Sequence, residues 1–205
     1  MTDGAGRGSS RILTIPNLIS LARLLCVPLF LWLLWKPEPA RVAAAVLLAV
    51  LGATDWIDGY IARHFDQGSE LGKILDPTAD RVLLVAGAIA LLVEDISTPV
   101  NVLLWIVLAR EVVIAVVTVG LGLAGARRID VVWAGKAGTL ALMFALPLFL
   151  LAGAVGSARW FFLLCGWGFA IGGIGLGYYA AVKYVPAARA ALREGRAARP
   201  AEARP

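Results

Sequence analysis

The chain has 205 residues, 60% of them hydrophobic and 16% charged, with a formal net charge of +5. A soluble domain of this length is about half apolar and about a quarter charged, so the composition excludes an ordinary water-soluble globule. It points to one polytopic membrane domain whose positive balance meets anionic lipid headgroups on the cytoplasmic side, with no nucleic-acid partner.

Residues 1–10 read as a disordered extension rich in Gly, Ser and Arg, and no secretory signal is expected there. The membrane domain is expected over residues 11–186, and a basic disordered tail over 187–205. Six apolar segments follow in order, each near the ~20 residues a spanning helix needs. They are Ile15 to Trp35, Ala40 to about Ala62, Leu75 to Val93, Pro99 to Ala124, Val132 to Ala154 and Trp160 to Val182. The expected fold is therefore all-α, with six transmembrane helices. Pro16, Pro28 and Pro37 can start, kink or stop a helix, which blurs the limits of the first two segments. Trp35, Trp133 and Trp160 lie near segment ends and read as interface anchors. Cys26 and Cys165 lie in apolar runs and read as small buried hydrophobes.

The cations orient the segments. The N-terminus, the 2–3 loop, the 4–5 loop and the tail carry Arg7, Arg11, Arg63, Lys73, Arg127, Arg128, Lys136, Lys183, Arg189, Arg193, Arg196, Arg199 and Arg204. The opposite ends carry only Lys36, Arg41 and Arg159. The positive-inside rule then predicts both termini in the cytoplasm and places the polar ends of segments 2 and 3 there too.

Those ends hold the chemistry. Asp55 and Asp58 are three apart, which on a helix is about 60° of arc, and Asp76 and Asp80 are four apart, about 40°. Each pair shares a face. A short connection makes the two helices antiparallel neighbours, so all four carboxylates reach one membrane depth. Such a cluster is costly beside lipid unless a cation neutralises it. The all-oxygen donor set suits Mg2+ or Mn2+ and, with no His or Cys, disfavours zinc. One aspartate can stay off the metal as a general base. Gly59, Ala62 and Gly72 leave room for a bulky ligand, and Arg63 offers a cation to a diphosphate. Capping by Asp76 before Pro77 is a bland alternative for that residue alone, since Asp55, Asp58 and Asp80 lie inside apolar runs.

The run Asp55-x2-Asp58-Gly59-x2-Ala62-Arg63-x8-Gly72-x3-Asp76-x3-Asp80 resembles the signature of the CDP-alcohol phosphotransferases in every defined position. The opening TIPNLISLARLLCVP is similar to the first helix of the bacterial phosphatidylglycerophosphate and cardiolipin synthase types, and the likeness covers roughly residues 12–185. The resemblance implies that Asp55, Asp58, Asp76 and Asp80 surround the metal and that Asp80 deprotonates the acceptor hydroxyl. It implies a CDP pocket formed by Asp58, Gly59, Ala62, Arg63 and Gly72, CDP-diacylglycerol as donor, CMP as leaving group, and a homodimer. Glycerol 3-phosphate is the expected acceptor, from the helix-1 opening, LGKILDPTADRVLL and Gly135-Lys136. Phosphatidylglycerol is the alternative, for two reasons. The run after Arg110-Glu111, VVIAVVTVG, lacks the second Arg-Glu pair of many phosphatidylglycerophosphate synthases, and the closing GYYAAVKY is similar to the cardiolipin synthase type. Inositol phosphate ranks third.

Three cations outside the signature are candidate acceptor residues. Arg23 completes a polar stripe with Asn17 and Ser20, with an interfacial, snorkelling arginine as the bland alternative. Arg110, beside Glu111, lies well inside segment 4. Lys136 opens segment 5, where the family often has a lysine. Segment 6 is crowded with Gly166, Gly168, Gly172, Gly173, Gly175 and Gly177, and Gly168-x3-Gly172 and Gly173-x3-Gly177 predict close helix packing. His64 reads as a solvated loop residue. Two other classes compete with the enzyme. A cation transporter would need a relay across the membrane, yet the charges gather at one face. A structural, lipid-binding protein leaves the aspartate spacing unexplained.

Overall fold

The computed structural model describes the backbone over residues 15–36, 39–64, 72–123 and 133–202, and the side chains over 17–36, 39–54, 78–120 and 133–183. The described residues form helices and no strand: α1 (Ile15–Trp35), α2 (Arg41–His64), α3 (Gly72–Glu94), α4 (Thr98–Leu123), α5 (Trp133–Ala154), a 3-10 turn (Gly156–Ala158) and α6 (Arg159–Glu202). Helices suit an apolar chain because each N–H and C=O finds its partner within the segment, which lipid cannot supply. Pro16 sits in the first turn of α1, where a missing N–H costs nothing. Pro28 and Pro147 lie within α1 and α5, and neither ends its helix.

Four of the described stretches are long and apolar enough to cross a membrane: Asn17–Trp35, Thr98–Gly120, Trp133–Ala154 and Gly156–Lys183. The described apolar part of α2, Arg41–Thr54, is shorter. α6 does not stop at Val182. It runs as helix past residue 187, where a disordered tail was expected, to Glu202. The tail is mostly Ala, Arg, Leu and Glu, all strong helix formers, so a helix already under way continues through it.

Successive helices run antiparallel, as the contacts at one end of the bundle show. Arg41 at the start of α2 pairs through Nε with the Glu94 carboxylate at the end of α3. The Arg159 guanidinium at the start of α6 donates to the Ile96 carbonyl, 3.0 Å away, in the α3–α4 connection. That connection begins with Asp95 at φ 48°, a left-handed residue that stops α3, in a conformation Asp tolerates. The Ala40 amide donates to Leu33 of α1 at 2.9 Å. The opposite end therefore gathers the start of α1, the end of α2 and the starts of α3 and α5.

α5 is the axis of the bundle: half of its span is buried, against 28% or less of the other three spans. Gly52 of α2 faces Met143 and Gly87 of α3 faces Leu146, so both helices seat closely on α5. Phe30, Leu34, Leu48, Leu83, Leu84, Leu91, Leu104, Phe149 and Leu150 fill the core. The outer surface stays apolar, with Trp105, Val112, Val116, Leu164 and Ile171 exposed, as a lipid-facing surface requires. Trp35, Trp133 and Trp160 are exposed at helix ends, as expected of anchors.

Candidate active site

The four aspartates fall on the two helices the spacing indicates. Asp55 and Asp58 lie in the last three turns of α2, and Asp76 and Asp80 in the first three of α3. Because α2 and α3 are antiparallel, these stretches share one end of the bundle. The side chains of Asp55, Asp58, Gly59, Ala62, Arg63, Gly72 and Asp76 lie outside the described residues. Among the described residues no three His, Cys, Asp or Glu side chains come together. The donor chemistry on α2 and α3 nevertheless fits a hard divalent cation: the four signature residues are all carboxylates, carried on two antiparallel helices.

Asp80 is the described member of the set. Its side chain is 19% exposed, and it accepts a hydrogen bond at Oδ1 from Nη1 of Arg23. Arg23 is 1% exposed, so it does not snorkel to the surface; it is taken out of water at the α1–α3 contact. Ser20 and Asn17, about one and two turns before it, are buried as well, so the polar stripe of α1 faces inward. Arg23 lies eight residues into α1 and Asp80 eight into α3, each about 12 Å from the helix start. Equal depth on helices starting at the same end was the signal for this pairing, since a charge placed inside a membrane domain must find a partner at its own level. The pairing itself was not foreseen.

The other acceptor candidates separate. Arg110 donates from Nη1 to Glu111 Oε1 at 2.6 Å, and Glu111 is buried. The Arg110 guanidinium rests on α6 at Gly177, where a Cβ would come within 2.9 Å of its nitrogens. Gly177 in turn approaches Gly138 of α5, five residues from the α5 start, so Arg110 lies in the same half of the bundle as Asp80. Lys136 is exposed one half-turn before Gly138.

The glycines of α6 divide by face. A Cβ on Gly173 would meet the Gly138 carbonyl oxygen at 2.8 Å, and one on Gly166 would meet the Phe149 ring at 2.8 Å. Gly173-x3-Gly177 thus packs as expected. Gly168 and Gly172 do not: both are exposed with nothing within 4 Å of a built Cβ, because they point away from α5.

The sequence pattern of the CDP-alcohol phosphatidyltransferase family matches residues 13–172. The chain is 40% identical, over 90% of its length and 87% of the relative's, to a Streptomyces coelicolor protein named cardiolipin synthase (CMP-forming). It is 34% identical to a Pseudomonas fluorescens CDP-diacylglycerol–glycerol-3-phosphate 3-phosphatidyltransferase, over 86% of this chain and 90% of the relative. The Escherichia coli protein of the same name is 35% identical over 66% of this chain and 76% of its own length. With the signature aspartates on α2 and α3 and most of the chain matched, this protein belongs to the CDP-alcohol phosphatidyltransferase family, as a CMP-forming transferase of phospholipid biosynthesis.

Proposed function

We propose that this protein moves the phosphatidyl group of CDP-diacylglycerol to phosphatidylglycerol, forming cardiolipin and CMP. The observation that carries the acceptor is the 40% identity across 90% of the chain to the Streptomyces cardiolipin synthase, above the 34% and 35% found with the two glycerol-phosphate enzymes. The surface of α4 supports it. After Arg110 and Glu111 the helix continues as Val112, Val113, Val116 and Val117, all exposed and apolar, with no further cation to take a phosphomonoester. Glycerol 3-phosphate, the acceptor first expected, is the second reading and rests on the two glycerol-phosphate relatives.

In this reading six helices cross the cell membrane with both termini and the site at the cytoplasmic side, which the cation distribution supports. Asp55, Asp58, Asp76 and Asp80 hold Mg2+ or Mn2+. When bound, the ion neutralises charge on the donor diphosphate. Asp58, Gly59, Ala62, Arg63 and Gly72 hold the CDP portion. Asp80 takes the proton from the acceptor hydroxyl. The acceptor oxygen forms a bond to the lipid-bearing phosphorus, the bond from that phosphorus to CMP breaks, and CMP leaves with the electron pair. Lys136 and Arg110 stand toward the acceptor headgroup.

The test is CMP release by purified protein in detergent with CDP-diacylglycerol and Mg2+, one acceptor at a time. Release with phosphatidylglycerol, abolished by Asp80→Asn and by EDTA, is the expected result. Release only with glycerol 3-phosphate moves the protein to phosphatidylglycerophosphate synthesis with the same residues in the same roles.

A further inference from the structure

We infer that Arg23 is a positioning residue: it aims the Asp80 carboxylate and does not bind the acceptor. The inference rests on the reading of Asp80 as the base. A residue that receives an incoming acceptor needs surface to offer, and Arg23 is 1% exposed. Its guanidinium donates from Nη1 to Oδ1 of Asp80, across the α1–α3 contact.

An aspartate on a helix has a broad second torsion, so its two oxygens are not aimed by the backbone alone. Bonding Oδ1 to a buried donor selects one orientation and thereby sets the direction of the second oxygen. The planar guanidinium fixes direction in a way a lysine ammonium, a point charge on a flexible stem, does not. Arg23 is itself held by burial, since α1 packs on both α2 and α3. A misplacement of about 1 Å in such a group costs on the order of 10²-fold in rate, so the positioning has a measurable kinetic signature.

The experiment compares wild type with Arg23→Lys, Arg23→Met, Asp80→Asn and the double variant Arg23→Met/Asp80→Asn. Each is assayed for kcat and for separate KM values of CDP-diacylglycerol and phosphatidylglycerol. Each is also titrated with CMP in the presence of Mn2+ by calorimetry. Arg23→Met is expected to lose about 10²-fold in kcat, with the phosphatidylglycerol KM within about twofold and CMP binding retained. Arg23→Lys recovers part of the loss. The double variant is no slower than Asp80→Asn, because nothing remains to be aimed.

A raised phosphatidylglycerol KM at unchanged kcat overturns the inference and makes Arg23 an acceptor cation. Loss of CMP binding by folded protein overturns it in favour of the nucleotide. A double variant slower than Asp80→Asn by the full single-variant factor makes the two residues independent. Arg23→Met leaves a half-buried carboxylate without this cation and can fail to fold. Arg23→Lys then decides: lowered kcat at unchanged KM supports positioning, and full activity refutes it. Failure of the functional reading is distinct, for it appears in the unsubstituted protein as CMP release only with glycerol 3-phosphate, or as no CMP release with any acceptor.

Discussion

Two helix pairs occupy the same half of this bundle and treat it in opposite ways. Between α1 and α3 the buried groups are polar: Asn17, Ser20 and Arg23 face inward, and Arg23 meets Asp80. Between α5 and α6 at a similar depth the contact is made by backbone, with Gly138 against Gly173 and Gly177. The first pair meets through an ion pair between two buried or half-buried side chains. The second is held by the closeness that missing side chains allow, which is how helices associate where lipid offers no hydrophobic drive. α4 touches this second pair through Arg110, whose guanidinium uses the space at Gly177. At one level of the bundle, buried polar pairing and close backbone packing thus fall to different helix contacts.

Substitutions separate the two. Asp80→Asn is expected to show the largest effect, a loss of about 10²–10⁴-fold in CMP release with folding kept, checked by kinetics alongside thermal unfolding. If unfolding moved with activity, the α1–α3 pair would be holding the bundle together as well as serving the site. Gly173→Ala acts the other way. Its Cβ would press on the Gly138 carbonyl oxygen, a backbone atom that cannot swing aside, so stability falls by about 1–3 kcal/mol in a detergent unfolding titration. Activity per folded molecule changes far less.

Gly177→Ala sharpens the comparison further. Its Cβ meets the mobile end of Arg110, so the fold loses less than with Gly173→Ala, while the acceptor KM rises several-fold in steady-state assays. An unchanged KM would remove Arg110 from the acceptor site. The smallest effect belongs to Gly168→Ala and Gly172→Ala on the open face of α6. With nothing within 4 Å, each changes bundle stability by less than about 0.5 kcal/mol in the same titration. A larger loss would mean that this face is covered by a second copy of the chain.

Much of this was written in local pattern. Apolar length sets a helix, so the segment Ile15 to Trp35 returns as α1 with the same limits, and the fourth and fifth segments return as α4 and α5 to within a residue. The aspartate spacing placed each acidic pair on its helix because three and four residues are a helical turn. The family match extends over the same residues that carry this signature.

Partner choice was not written there. Arg23 carried the same sequence credentials as Arg110 and Lys136, and only the docking of α1 on α3 brought it to Asp80. Six glycines spread around α6 read alike in the sequence, and Gly172 and Gly173 are neighbours. The approach of α5 put Gly173 inside and left Gly172 facing out. Length, polarity and spacing along one chain determine which helices form and what chemistry they carry, because those depend on residues a turn or two apart. Which face turns inward, and which charge meets which, depends on helices dozens of residues away, and tertiary packing alone decided it.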